Sequence, residues 1–201
     1  MKIKITDIKV KALAVVMAFI IILIAIMYIQ NALTPKTDPY LGDIHVHADF
    51  KVYLNGQMFN FTQEKYMSSN ESKLSQFVHL HDMDGDVIHV HMSTINLGMF
   101  STSLNMNINS TCFATENQTY CNSPQGTLKV FVNGRPNYEF DTYKPKDLDR
   151  ILITYGNEGP ELIQYQLASV TDKACIPSEK CPERGLPEDE STCISGQDCK
   201  A

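Results

Sequence analysis

Residues 44–56 read IHVHADFKVYLNG, with apolar positions alternating against His45, His47 and Asp49 before the run ends on Asn55-Gly56. In an extended strand, side chains two apart point to the same face. The stretch therefore predicts a strand with its apolar face in a core and its histidine face open. Asn-Gly then predicts a tight hairpin, because a type I′ turn needs positive φ at both central residues. Residues 50–57 (FKVYLNGQ) are echoed almost position by position at 128–135 (LKVFVNGR), which predicts a second hairpin turning at Asn133-Gly134.

The doublet in this stretch is one of three. All six histidines fall in H-x-H pairs: His45/His47, His79/His81 and His89/His91. Around the later two, Phe77, Val78, Leu80, Ile88 and Val90 repeat the alternation. Opposed residues of an antiparallel pair share a face. A hairpin over 77–91 thus brings its histidines together when His81 opposes His89 and His79 opposes His91, across a loop of three or five residues centred on Gly85. Imidazole is the commonest metal-ligating side chain, so the expectation is a transition-metal site built from these six residues. Zinc takes four ligands, or three plus water, and copper(II) binds imidazole nitrogen more tightly. Six imidazoles exceed what one mononuclear site needs, which leaves a dinuclear site or supporting histidines open. Asp49 and Asp82 stand beside the doublets as further ligands or ring-orienting groups.

Two local patterns point elsewhere and are outweighed. Residues 43–47 (DIHVH) match the D-x-H-x-H opening of amidohydrolases, but that chemistry sits on a barrel of about 250 residues. Asp82-x-Asp84-x-Asp86 hints at a calcium loop, yet it lacks the glycine and the closing acid that an EF-hand requires. Met83, Met92, Met99 and Met106 lie near the histidine hairpin; thioether suits copper(I), but methionine is more often core filler.

The remaining elements complete an α+β fold of mostly antiparallel β-hairpins with two short helices. Ile95, Leu97, Phe100 and Leu104 approach helical spacing; residues 152–155 read as a strand. Pro160 opens a helix running to Val170, with Leu162, Ile163, Leu167 and Val170 inward.

Ahead of this domain, residues 12–29 form an unbroken apolar run preceded by Lys2, Lys4, Lys9 and Lys11. The expectation is an N-terminal transmembrane helix over 12–30, with residues 1–11 cytoplasmic and the remainder exported. Residues 31–43 read as a linker, 44–170 as the histidine-rich extracytoplasmic domain and 171–201 as a disulfide-rich tail. The formal charge is −6; residues 1–11 carry +3, so −9 falls on the rest. That acidity excludes nucleic acid as a partner; the membrane and a metal ion are the expected ones. Six cysteines in close pairs, Cys112/Cys121, Cys175/Cys181 and Cys193/Cys199, read as disulfides in an oxidising compartment. Their spacing is not the C-x-x-C of thiol–disulfide exchange. Sequons begin at Asn60, Asn70, Asn109 and Asn117.

His45/His47 with Asn55-Gly56, then His79/His81/Asp82 with Gly85 and His89, then Leu97-Gly98, then Val130 to Gly134 form an ordered pattern. Over residues 44–157 it resembles an uncharacterised family of exported and membrane-anchored prokaryotic proteins, notably archaeal ones. The resemblance implies an exported domain and no established activity. Some archaeal members bear a disulfide-isomerase label, whose C-x-x-C this chain lacks, and many bacterial members carry Glu where His91 stands. The functional expectation is metal capture, sensing or presentation through zinc or copper. The competing expectations are a cupin-like metal-dependent oxidase or hydrolase and a thiol–disulfide-related or purely structural disulfide-bonded surface protein.

Overall fold

The computed structural model describes residues 5–33, 44–69 and 74–185. The chain forms two units, Met1–Asp38 and Pro39–Ala201. The first holds helix α1, Ile5–Leu33, whose described side chains, 13–29, are all exposed. Among the described residues no helix is long and apolar enough to cross a membrane. Most of the expected linker, Asn70, Cys193 and Cys199 lie outside the described residues.

The second unit starts with β1 (Val46–Leu54), whose alternation buries Ala48, Phe50, Val52 and Leu54 in the main core. Asn55 and Gly56, at φ 52° and 77°, turn the chain into β2 (Gln57–Met58), with Leu54 opposite Gln57. Next come β3 (Val78–His79) and β4 (Val87–Val90). Helix α2 (Leu97–Ser103) is capped by Asn96, whose side-chain oxygen accepts from the Met99 N–H at 2.9 Å. A small meander of β5 (Asn107–Ile108), β6 (Cys112–Ala114) and β7 (Thr119–Cys121) places Cys112 opposite Cys121, and these two form a disulfide. Strand β8 (Thr127–Val132) turns at Asn133 and Gly134, φ 51° and 77°, into β9 (Arg135–Asn137). Both Asn-Gly turns thus form as the sequence predicts. Then follow β10 (Arg150–Gly156) and helix α3 (Pro160–Ser169).

Seven of these strands make one sheet in the order β3-β4-β1-β10-β8-β9, with β2 also on β1. The pairing is antiparallel except between β1 and β10. One face carries the core of Phe50, Leu80, Ile88, Phe100, Ile151 and Ile153. On the other, Tyr53, Leu152 and Val170 form a smaller cluster beside α3.

The β3–β4 hairpin differs in register from the sequence expectation. His79 opposes His89 and Val78 opposes Val90, a slip of two residues that keeps the histidines on one face. The cause lies in Leu80, which leaves the ladder: it bridges Met67, and its carbonyl accepts from Ser68 N–H at 2.7 Å. The connection is correspondingly longer, passing through left-handed Asp82 and Met83 (φ 55° and 56°). Gly85 follows where a Cβ would stand 2.8 Å from the backbone of both Phe61 and Thr62.

The histidine face is not open, contrary to the reading of the alternation. Residues 171–185 cross it, and all the histidines except His45 are buried. Asp49 holds this covering segment: its carboxylate accepts from the Thr171 hydroxyl, Lys173 N–H (2.8 Å) and Ala174 N–H (3.0 Å). Within α3, Leu162 is exposed, whereas Gln166 turns inward with Ile163.

Candidate metal centre

Two pairings align three histidines across three strands. His79 on β3 opposes His89 on β4, and His89 opposes His47 on β1. His45, His81 and His91 lie just beyond the strand ends. The six rings touch in a closed circuit, 45–47–89–81–79–91–45, with centroid separations from 3.9 to 5.6 Å. Within it, His45, His47 and His89 place ligand nitrogens within 4.8 Å of one another, a three-histidine group that can hold a metal ion.

Three rings are oriented from outside by oxygen atoms. His79 Nδ1 lies 2.9 Å from the Ser75 carbonyl, which only accepts, so Nδ1 carries the proton. His81 Nδ1 donates in the same way to the Asp82 carboxylate. Ser178 lies 2.7 Å from His47 Nδ1 and gives its one hydroxyl hydrogen to Asp147, so it accepts from His47 Nδ1–H. In the neutral form of each ring the proton sits on Nδ1, which leaves the Nε2 lone pair that binds metals. This outer pinning is the usual companion of histidine ligation.

The inner nitrogens meet in two places. His47 Nε2 stands 3.1 Å from His45 Nε2, and His81 Nε2 stands 3.1 Å from His89 Nδ1.

Of the flanking acids, Asp82 touches the His81 ring, whereas Asp49 is spent on the covering segment and faces backbone donors. Burial raises the Asp49 pKa above the usual carboxylate value, against the opposing pull of its hydrogen bonds to Thr171, Ala174 and Lys173. The Asp82–Asp86 stretch is no calcium loop. Lys173 pairs with Asp86 at 2.8 Å and with Asp84 at 3.3 Å, and Lys51 also pairs with Asp86. Burial alone would raise the Asp86 pKa, but the two ammonium groups hold it below the ordinary value. Of the four methionines, Met106 is buried in the core and Met92 packs against it, while Met83 and Met99 are exposed.

Ser178 and Asp147 were not singled out by sequence. Ser178 lies inside the seven-residue loop closed by the Cys175–Cys181 disulfide, where its N–H donates to the Ala174 carbonyl at 3.1 Å. Asp147 also accepts from His47 N–H at 3.1 Å, while Leu148 N–H donates to the His47 carbonyl at 2.8 Å. Together they fix both the backbone and the ring of His47. The only mark in the sequence is a serine between two close cysteines, and no spacing rule ties it to a histidine 131 positions earlier.

The described sequon residues Asn60, Asn109 and Asn117 are all exposed. Asn60 and Asn109 each use the carboxamide oxygen to accept from a backbone N–H two residues on.

Set against protein-family models, curated proteins and solved structures, the chain gives no match in any of the three comparisons.

Proposed function

We propose that this chain is a membrane-anchored extracytoplasmic protein that captures, senses or presents a transition metal, zinc or copper, through its histidine doublets. The observation that carries the reading is the outer pinning of the His47, His79 and His81 rings at Nδ1, with Nε2 of His47 and of His81 each 3.1 Å from a nitrogen of a neighbouring imidazole. A polar surface patch has no need of that arrangement. His45, the exposed member of the three-histidine group, is where an ion arrives. The burial of the other rings favours holding an ion over turning over an organic substrate.

The location rests on three features. The apolar run 12–29 follows four lysines. Two disulfides form among the described cysteines, as suits an oxidising compartment. The resemblance to exported archaeal proteins points the same way.

Elemental analysis of the purified full chain, equilibrated with Zn²⁺ or Cu²⁺ and then desalted, tests the binding. At least one ion per chain is expected. Replacing His47 and His89 with Gln should remove it, and retention of full metal by that double variant refutes the site. A reporter that works only outside the cytoplasm, fused after Ala201, should be active; activity of a strictly cytoplasmic reporter there refutes the location.

A further inference from the structure

We propose that the histidine array is a dinuclear centre, with one ion on His45 and His47, a second on His81, and His89 shared between them. This rests on the metal-binding reading and goes beyond it in number and arrangement.

The two close nitrogen contacts are the starting point. With metal–nitrogen bonds of roughly 2.0–2.1 Å, two nitrogens on one ion stand about 2.9 Å apart at a right angle and about 3.4 Å apart at the tetrahedral angle. The His45–His47 and His81–His89 contacts, each 3.1 Å, both fall in that interval. They involve four different rings, so the array contains two preformed chelating pairs rather than one.

His89 joins them. Its Nδ1 belongs to the second pair, yet the residue also belongs to the three-histidine group with His45 and His47. Its ring centroid is 4.8 Å from that of His47 and 3.9 Å from that of His81. An imidazole that faces an ion on either side binds both by releasing its remaining N–H proton to solvent. The resulting negative charge lies between the two cations and offsets their repulsion.

Each half has its own anionic support. Asp147 backs the first through the Ser178 hydroxyl and the His47 ring. Asp82 backs the second through the His81 ring. A carboxylate behind a ligating histidine raises the basicity of that ligand, and here one such carboxylate serves each pair. His79 and His91 close the circuit of rings between His81 in the second half and His45 in the first.

Copper(II) is the probe, because its electron paramagnetic resonance signal reports both count and coupling. The full chain in a non-chelating detergent is titrated with Cu²⁺, passed over a chelating resin and assayed for bound metal. Two ions per chain are expected, with a combined signal well below that of two isolated copper(II) ions, as an imidazolate bridge couples their spins. His45→Gln and His81→Gln should each lower the count to one, with circular dichroism confirming that the variants are folded. Saturation of the wild-type chain at one ion overturns the dinuclear centre but leaves the metal-binding reading intact. Two ions with full, uncoupled intensity overturn the sharing of His89, and the absence of bound copper and zinc overturns both readings.

Discussion

Replacing Asp49 with Ala should free the segment that covers the histidine face. Asp49 is 1% exposed and accepts three hydrogen bonds, two from the backbone N–H groups of Lys173 and Ala174. A buried donor left without an acceptor costs about 1–3 kcal/mol, so losing both acceptors costs on the order of 2–6 kcal/mol. Two effects pull the figure down. Water can reach the half-exposed Lys173, though not the fully buried Ala174. Removing the carboxylate also removes a desolvated charge, the burden that raises its pKa. The expected loss is therefore about 2–4 kcal/mol, read by urea denaturation of the metal-free chain. Amide exchange should rise across 171–185 ahead of β1 and β10. The competing role, Asp49 as a metal ligand, predicts the reverse pattern: metal affinity falls while the metal-free chain keeps its stability. A metal-free stability change under 0.5 kcal/mol refutes the clamp.

Ser178→Ala removes the acceptor of His47 Nδ1–H; Zn²⁺ affinity, measured by chelator competition, should fall about 10–100-fold, and unchanged affinity breaks the link. Gly85→Ala drives a methyl against the Phe61–Thr62 backbone, 2.8 Å away, and should cost about 1–3 kcal/mol in thermal or urea denaturation. A wild-type melting curve would show that this approach is slack. Asp86→Asn should cost about 1–2 kcal/mol, because Lys51 and Lys173 lose their shared partner. Since the folded Asp86 pKa lies below its unfolded value, its contribution is fully present above about pH 4 and is lost as pH falls through the folded value. The variant's stability should therefore decline less steeply than the wild type's in that acid window, and parallel declines would refute the assignment.

What could be read in the sequence is what depends on local geometry. Period-two alternation places His47 with Asp49 and opposite Phe50, and Asn-Gly at 55–56 and 133–134 dictates two turns whatever lies around them. The gathering of the doublets on one face follows from parity alone, which is why it survives a two-residue slip in the hairpin. The slip itself was not legible, because it depends on Leu80 pairing with Met67 and Ser68, a contact no turn rule supplies. The covering of the histidines was hidden for the same reason. It rests on Asp49 meeting Lys173 and on His47 meeting Ser178, partners 124 and 131 residues apart. Alternation in β1 shows that two faces differ but not that the second will be roofed. The burial of Gln166 in α3, where Leu162 is exposed, is likewise a choice that helical spacing alone does not make.

The roof also sets a timetable. Synthesis delivers the first histidine doublet more than a hundred residues before the serine that fixes its ring, and long-range pairings form late because the intervening chain must first be brought to order. Between those moments the sheet can exist with its imidazoles exposed and His47 unpinned. A nascent chain would then bind metals loosely and with little preference, and would acquire its final grip only when the Cys175–Cys181 loop docks. On the proposed reading, completion of the site would wait on a contact separate from the sheet's own pairings, the docking of the Cys175–Cys181 loop on His47.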